Sequence, residues 1–478
     1  MQITTQAFSR NASAALQNPA LQNWKIYRRP EIQIHRPEIM MSSPAQQCLF
    51  DLPICTSTQT KAALRSARSG TFTDNMQLPV HRWYRYSAGF SAEWVEQLIR
   101  ELSPSAVLDP FAGSGTTLLA AETAGVLAYG YESHPFVARI ATAKNLWNQT
   151  EGKLFDAASE LLNIAAQIPS PDMGVIPDLL VKCYTPEVLQ QLYALREAYG
   201  SCANRFDPEI SQLLWLALTA ILRSCSFVGT AQWQYVLPNK RKSKSLGALT
   251  AFNQKIADMA ADMMALRNTG CRSDARMILH DARVISEDVS LDSIDLVVTS
   301  PPYPNNYDYA DATRLEMTFW AEIRGWGDLQ NVVRQFIIHS CSQHAAAEKL
   351  QLETLLADSC IDSIREELLN VCNELAEIRL TKGGKKAYHT MIAAYFCDLS
   401  KVFRALRPVC RLGSTVCLVI GDSAPYGVYV PVDDWLGRLA IAAGFESFSF
   451  EKLRDRNIKW KNRKHRVPLH EGRLWIKG

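Results

Sequence analysis

Nowhere does this 478-residue chain string together the roughly 20 apolar residues that a bilayer-spanning helix needs, which argues against a helical membrane protein. The opening Met1-Gln-Ile-Thr-Thr5 has no basic segment followed by an apolar stretch and a small-residue cleavage site. No secretory signal is therefore expected, and the cytoplasm is the expected location. The twelve cysteines include no Cys-x-x-Cys pair, and several lie in apolar runs such as Val416-Cys-Leu-Val-Ile420, so reduced, mostly buried thiols are expected rather than disulfides. His339-Ser-Cys341-Ser-Gln-His344 matches no common zinc spacing and lacks a second ligand pair nearby, so no metal is expected. Internal repeats and long low-complexity tracts are also missing.

What is present is the composition of a globular protein, 47% apolar and 21% charged, long enough for two or three packed units or one large domain with insertions. The net charge of +3 is too small to name a polyanionic partner, but it is unevenly spread. From Lys452 to Gly478 there are ten Lys or Arg against two acids, and Lys240-Arg-Lys-Ser-Lys244 is a second basic run. Such runs suit phosphate contacts, and they equally suit a solvated face.

Residues 1–70, rich in Gln, Ser, Thr, Asn and Pro without periodicity, read as a poorly ordered arm. Residues 71–149 read as helix, strand, glycine loop, helix, strand: Phe90 to Ile99 has helical apolar spacing and Ala106-Val-Leu-Asp109 is a short buried strand. Residues 150–270 carry helical patterns with few strand signals and are expected to form a mostly helical insertion. Strand character returns in 271–309, at Arg276 to His280 and at Ile294 to Thr299. A second helical insertion is expected over 310–385. Residues 386–478 then bring a strand at Ser414–Ile420, a helix at Val432–Ala443 and two strand-like runs, Ser447–Phe450 and Gly472–Ile476, suited to an antiparallel edge.

Two short motifs sit at strand ends. The first is Asp109-Pro110-Phe111-Ala112-Gly113-Ser114-Gly115-Thr116, where glycines without Cβ let the backbone approach a ligand closely. A dinucleotide fingerprint needs a third glycine, and that slot is Leu118; no Gly-Lys-Ser/Thr follows, so it is not a P-loop either. Glu132 ends the next strand about 20 residues further on, the place for a carboxylate that accepts ribose hydroxyls. His280-Asp281 ends the third strand. The second motif, Ser300-Pro301-Pro302-Tyr303, ends the fourth: a polar residue, two prolines that fix φ, and an aromatic ring.

In this order the motifs resemble those of the DNA amino-methyltransferases, S-adenosylmethionine-dependent enzymes acting on cytosine N4 or adenine N6. The resemblance implies an α/β, Rossmann-like class I methyltransferase: a mostly parallel seven-stranded sheet with an antiparallel C-terminal edge strand, plus helical insertions. It implies that the Asp109–Thr116 loop holds the methionine part of the cofactor, Glu132 the ribose, and Asp281 the adenine amino group. Arg82-Trp-Tyr-Arg-Tyr-Ser-Ala-Gly-Phe90 resembles the family segment that closes over the methionine end, a looser match.

An exocyclic aromatic amine is a weak nucleophile because its lone pair is delocalised, so the enzyme must offer acceptors to its hydrogens and an aromatic face to hold the base. The family implies these roles for Ser300 and the Pro301 carbonyl, and for Tyr303 stacked on a flipped base. Methyl transfer is then a direct displacement, without the Pro-Cys nucleophile of cytosine C5 enzymes, a dipeptide absent here. Asn305 and Asn306 are expected to add hydrogen bonds around the base, and Lys459, Lys461 and Arg463 to touch phosphate. Serine at the first position leans towards cytosine N4 over adenine N6. The implied partners are DNA and, in restriction-modification or phage defence, a restriction endonuclease or other defence proteins. The usual places for a target-reading domain are absent, because Asp281 lies only 19 residues before Ser300, so an insertion is expected to read the target. RNA, a protein glutamine amide, or a non-catalytic DNA-binding subunit of a defence complex stay open as alternatives.

Overall fold

The computed structural model describes residues 74–478 except 87–88, 232–234, 271–273, 306–307, 348, 384–385 and 457–466, with the side chains of 345–347 also set aside. The expected arm and the segments carrying Asn306, Lys459, Lys461 and Arg463 thus lie outside the described residues.

Helix α1 (Ala92–Leu102) starts where Ser91 accepts a hydrogen bond from the Trp94 amide, and it buries Trp94, Val95, Leu98 and Ile99 along one stripe. Next come β1 (Ala106–Asp109), α2 (Thr116–Ala124), β2 (Leu127–Glu132) and α3 (Pro135–Lys144). Residues up to 268 add the helices α4 (Glu151–Ala166), α5 (Pro186–Cys202), α6 (Pro208–Cys225) and α7 (Ala248–Asn268). Between α6 and α7 stands a hairpin that the helical patterning did not announce, β3 (Val228–Thr230) with β4 (Val236–Arg241). Its strands are short and β4 is exposed from Pro238 onward, so no alternation of apolar and polar residues marks it. The chain continues through β5 (Arg276–Leu279), β6 (Ile294–Thr299), a series of short helices, α8 (Arg365–Thr381), α9 (Tyr388–Leu406), β7 (Cys410–Gly421), α10 (Val432–Ala442), β8 (Ser447–Arg456) and β9 (Leu469–Lys477).

Seven strands form one sheet in the order β5-β2-β1-β6-β7-β9-β8. All neighbouring pairs are parallel except those of β9, which runs antiparallel to both β7 and β8. The reversed strand therefore lies one position in from the edge, and β8 forms the edge itself. The sheet is buried on both faces. Val107, Leu296 and Val298 pack on α1 and α2, while Leu108, Val297 and Val416 pack under α9 and α10, as the two-residue period of a strand requires. A separate apolar cluster ties α3 to the helices α4 to α7 through Phe136, Leu154, Leu192, Trp215 and Phe252. The nine described cysteines are buried and free.

From β1 the sheet grows in both directions, through β2 on one side and β6 on the other, so the gap between the ends of β1 and β6 is the topological switch point where open α/β sheets bind ligands. One glycine lets the loop after β1 settle there. A Cβ on Gly130, in β2, would stand 2.8 Å from the Ala112 Cβ and 3.1 Å from Leu118. Gly130→Ala is expected to lose about 1–3 kcal/mol in urea unfolding, the usual cost of an overpacked contact. An unchanged midpoint would show that the loop can retreat without penalty.

Candidate active site

The loop 109–116 turns on two glycines with left-handed backbone, Gly113 at φ 53° and Gly115 at φ 87°, the second opening α2 without a side-chain cap. Asp109 is buried beneath it. Its Oδ1 accepts from the Phe111 amide at 3.0 Å and the Thr299 hydroxyl at 2.6 Å, and its Oδ2 accepts from the Thr117 hydroxyl at 2.6 Å. Burial raises its pKa to about 6, while the three donors oppose that rise. Asp109 thus acts here as a clasp between the loop, α2 and the strand that delivers Ser300.

Glu132 faces the same loop, its Oε2 accepting from the Gly113 amide at 3.0 Å and its Oε1 from the His134 amide at 2.8 Å. Burial pushes its pKa up to about 7 against those two amides. Tyr86 approaches this carboxylate, and burial followed by the Glu132 charge raises the tyrosine well above its usual range. The segment from Val80 to Trp83 is fixed by one acid on α7: Asp262 accepts from the Val80 amide, the Arg82 guanidinium and the Trp83 indole. The 82–90 segment therefore reaches the loop from a docked base, although 87–88 fall outside the described residues.

Across the switch point, the Ser300 hydroxyl donates to the Val419 carbonyl at 3.2 Å and also lies in hydrogen-bonding reach of the Tyr303 hydroxyl. Tyr303 lies with the Arg456 guanidinium 5.2 Å from its ring centroid, and its hydroxyl is raised by burial and by Glu471. Arg456 is itself fixed by donating to the Asp422 carbonyl at 2.6 Å. Asn305 takes a left-handed φ of 59° and its amide donates to the Ser340 carbonyl at 2.9 Å. The loop ends at Asp308, buried against Arg334 at 2.5 Å. Burial would raise this acid, but the nearby His344 ring and Arg334 hold it at about 2. Asp308, Cys341 and His344 bring donor atoms within 4.8 Å of one another, a grouping that the sequence spacing could not reveal. Arg334 already supplies the positive charge that a cation would bring there.

Asp281 stands just past β5 with both carboxylate oxygens engaged by Arg283, whose Nη1 also reaches Asp398 at 3.1 Å. His339 Nδ1 lies 2.7 Å from the other Asp398 oxygen. Burial opposes the charge of Arg283, but Asp398 and Asp281 outweigh it and raise its pKa. An adenine amine at Asp281 would share the carboxylate with Arg283. Sequence reasoning also passed over Tyr395. Its hydroxyl, on α9, is buried without a hydrogen-bond partner and is influenced by Tyr303 and Tyr309, so a polar group waits in the wall of the site. Its sequence context is an apolar helical stripe, which carries no sign of that position.

The family model described as DNA methylase matches residues 24–143, a span that contains the glycine loop and Glu132 and stops before the Ser-Pro-Pro-Tyr turn. Longer similarities cover about four fifths of the chain. The chain is 22% identical over 430 residues to a protein named Type II methyltransferase M.BsoBI from Geobacillus stearothermophilus, covering 81% of this chain and 82% of that one. It is 25% identical over 401 residues to Type II methyltransferase M.AvaI of a Nostoc strain, covering 78% and 81%. The M.AvaI protein of Anabaena variabilis matches with the same figures.

These matches support the DNA amino-methyltransferase family for this chain. No solved structure matches. Among the described residues, no helix is long and apolar enough to cross a membrane. Thr299 links the two motif-bearing strand ends through its bond to Asp109. Thr299→Val, which removes one donor from a buried carboxylate, is expected to cost about 1–3 kcal/mol of stability. Thr299→Ser should recover most of it in the same chemical-denaturation assay.

Proposed function

We propose that this methyltransferase is site-specific, takes its methyl from S-adenosylmethionine, and modifies the exocyclic amine of a flipped base, cytosine N4 in preference to adenine N6. The observation that carries this reading is the clasp of Asp109 on Thr299, which sets the glycine loop directly beside Ser300 at the switch point. Positive-φ glycines, the Gly130 gap and a carboxylate at Glu132 make a cradle suited to a nucleoside-bearing cofactor. Asp109, Pro110, Phe111, Ala112, Gly113, Ser114, Gly115 and Thr116 would line it, with Glu132 on the ribose and Asp281 towards the adenine. When bound, that cofactor supplies an electrophilic sulfonium methyl.

The protein's own part is to bind, orient and accept. Ser300, which already bonds the Val419 carbonyl and the Tyr303 hydroxyl, offers a remaining lone pair to the amine, and the Pro301 carbonyl offers another acceptor. Localising the amine lone pair in this way raises its nucleophilicity. Pro302 keeps the turn set, and Tyr303 presents its ring to the base while Arg456 holds the ring from the β8 edge. Asn305 and Asn306 would bind around the base, and Lys459, Lys461 and Arg463 would contact phosphate. The span 150–270 is proposed to read the target. The names of the relatives support a place in restriction-modification, with a restriction endonuclease as companion.

Purified protein with labelled S-adenosylmethionine and DNA should yield 4-methylcytosine by nucleoside mass spectrometry. A product of 6-methyladenine alone would overturn the base preference, and labelling of RNA alone would overturn the substrate. Tyr303→Ala should lose turnover while keeping cofactor affinity; unchanged turnover would remove the stacking role. Glu132 adds a pH signature. Its raised pKa of about 7 means that it becomes an acceptor-only carboxylate as pH rises through neutrality, so cofactor affinity should climb from pH 6 to pH 8. Calorimetry should find that slope flattened in Glu132→Gln. An equal slope in the variant would assign it to another group.

A further inference from the structure

The β3–β4 hairpin combines three properties. It is anchored, it touches the catalytic loop, and it carries unpaired positive charge. Anchoring comes from Lys242, whose ammonium donates to the Arg223 and Ser226 carbonyls at the C-terminal end of α6, the end where a helix favours a cation. The Lys242 amide also donates to the Phe227 carbonyl at 2.8 Å. Arg223 in turn pairs with the buried Glu316 at 2.5 Å and donates to the Ala312 carbonyl at 2.6 Å. The hairpin base is therefore connected to the chain immediately after the catalytic loop.

Contact with that loop is direct. The hairpin turn is closed by a hydrogen bond from the Ala231 amide to the Tyr235 carbonyl at 2.8 Å. The Tyr235 hydroxyl then accepts the amide hydrogen of Asp308, the residue that Arg334 grips from the other side. The ladder slips between Val228 and Gly229, from Arg241 to Leu237 as partners. That bulge turns Pro238, Asn239 and Lys240 off the ladder and into solvent. Lys240, Arg241 and Lys244 are all exposed. None of the three has an ion-pair partner among the described residues. Arg241 does lie over the Phe227 ring at 4.8 Å.

We propose that this hairpin is a phosphate clamp for duplex DNA beside the flipped base, and that Tyr235 is a positioning residue coupling the clamp to the catalytic loop. Lys240 and Lys244 hold the sugar-phosphate backbone. The hairpin, fixed at its base on α6, transmits that register through Tyr235 to the Asp308 amide and so to the Ser300–Tyr303 turn. This inference rests on the DNA-methylating reading above.

The test uses the full chain with fluorescent synthetic duplexes, one carrying the methylated site found in host DNA and one of scrambled sequence. Lys240→Gln combined with Lys244→Gln should weaken binding to both duplexes. It should also reduce the slope of log affinity against log salt by about two, near 0.9 per lost phosphate contact. The paired substitution to Arg should restore the slope. Tyr235→Phe keeps the ring and removes the acceptor, and it should lower kcat roughly tenfold with DNA affinity and KM unchanged. If wild-type protein methylates DNA while the double Gln variant keeps its full salt slope, the clamp is overturned and the reading of the site stands. An unchanged kcat in Tyr235→Phe overturns the coupling. Wild-type protein that methylates neither duplex nor any other DNA overturns the reading beneath both.

Discussion

One buried carboxylate makes the site possible. Asp109 is the last residue of β1, and its three hydrogen bonds go to the glycine loop, the first turn of α2 and the last residue of β6. Parallel strands align their C-terminal ends but do not by themselves fix the loops that leave them. Asp109 does so, because its acceptors are shared among groups that would otherwise be free to separate. Ser300 follows Thr299 directly, so this side chain, with the β1–β6 ladder and the bond from Thr117 to the Val298 carbonyl, holds the loop beside the Ser-Pro-Pro-Tyr turn. Burial makes that clasp costly to leave half-satisfied, which is why it holds.

Around this centre the protein braces its loops with acids that each collect several donors. Asp262 fixes Val80, Arg82 and Trp83; Asp398 orients Arg283 and His339; Asp308 closes the loop after the Ser-Pro-Pro-Tyr turn on Arg334. Asp262 and Asp398 draw their partners from segments 59 to 182 positions away, whereas Asp308 and Arg334 are 26 positions apart. The helices of 151–268 thereby do more than add bulk, since Asp262 and Arg223 both reach from them to segments flanking the site.

Much of the sheet was legible because its strands are short apolar runs ending in motifs, and Ala106–Asp109 and Ile294–Thr299 fall where the text placed them. The placement of Asp109, Glu132, Ser300 and Tyr303 at neighbouring strand ends follows from that order. Three features were not legible, for related reasons. The β3–β4 hairpin is too short and too exposed to produce a period. Tyr395 is one more ring in an apolar helical stripe until the fold brings Tyr303 and Tyr309 near it. The engagement of Asp281 by Arg283 is local, but the second grip of Arg283 on Asp398 spans 115 positions and has no sequence signal.

The place of β9 sets a schedule for making the enzyme. Strands β7 and β8 are synthesised before β9, yet neither pairs with the other; β7 pairs with β6 alone and β8 with no strand until β9 slides between them. Until residues 469–477 leave the ribosome, that flank of the sheet stays open, Glu471 is not beside Tyr303, and the edge bearing Arg456 has nothing to register against. A chain cut short by an interrupted message would carry both signature motifs and still lack a finished wall for the pocket. Topology in this way reserves completion of the pocket for chains translated through β9.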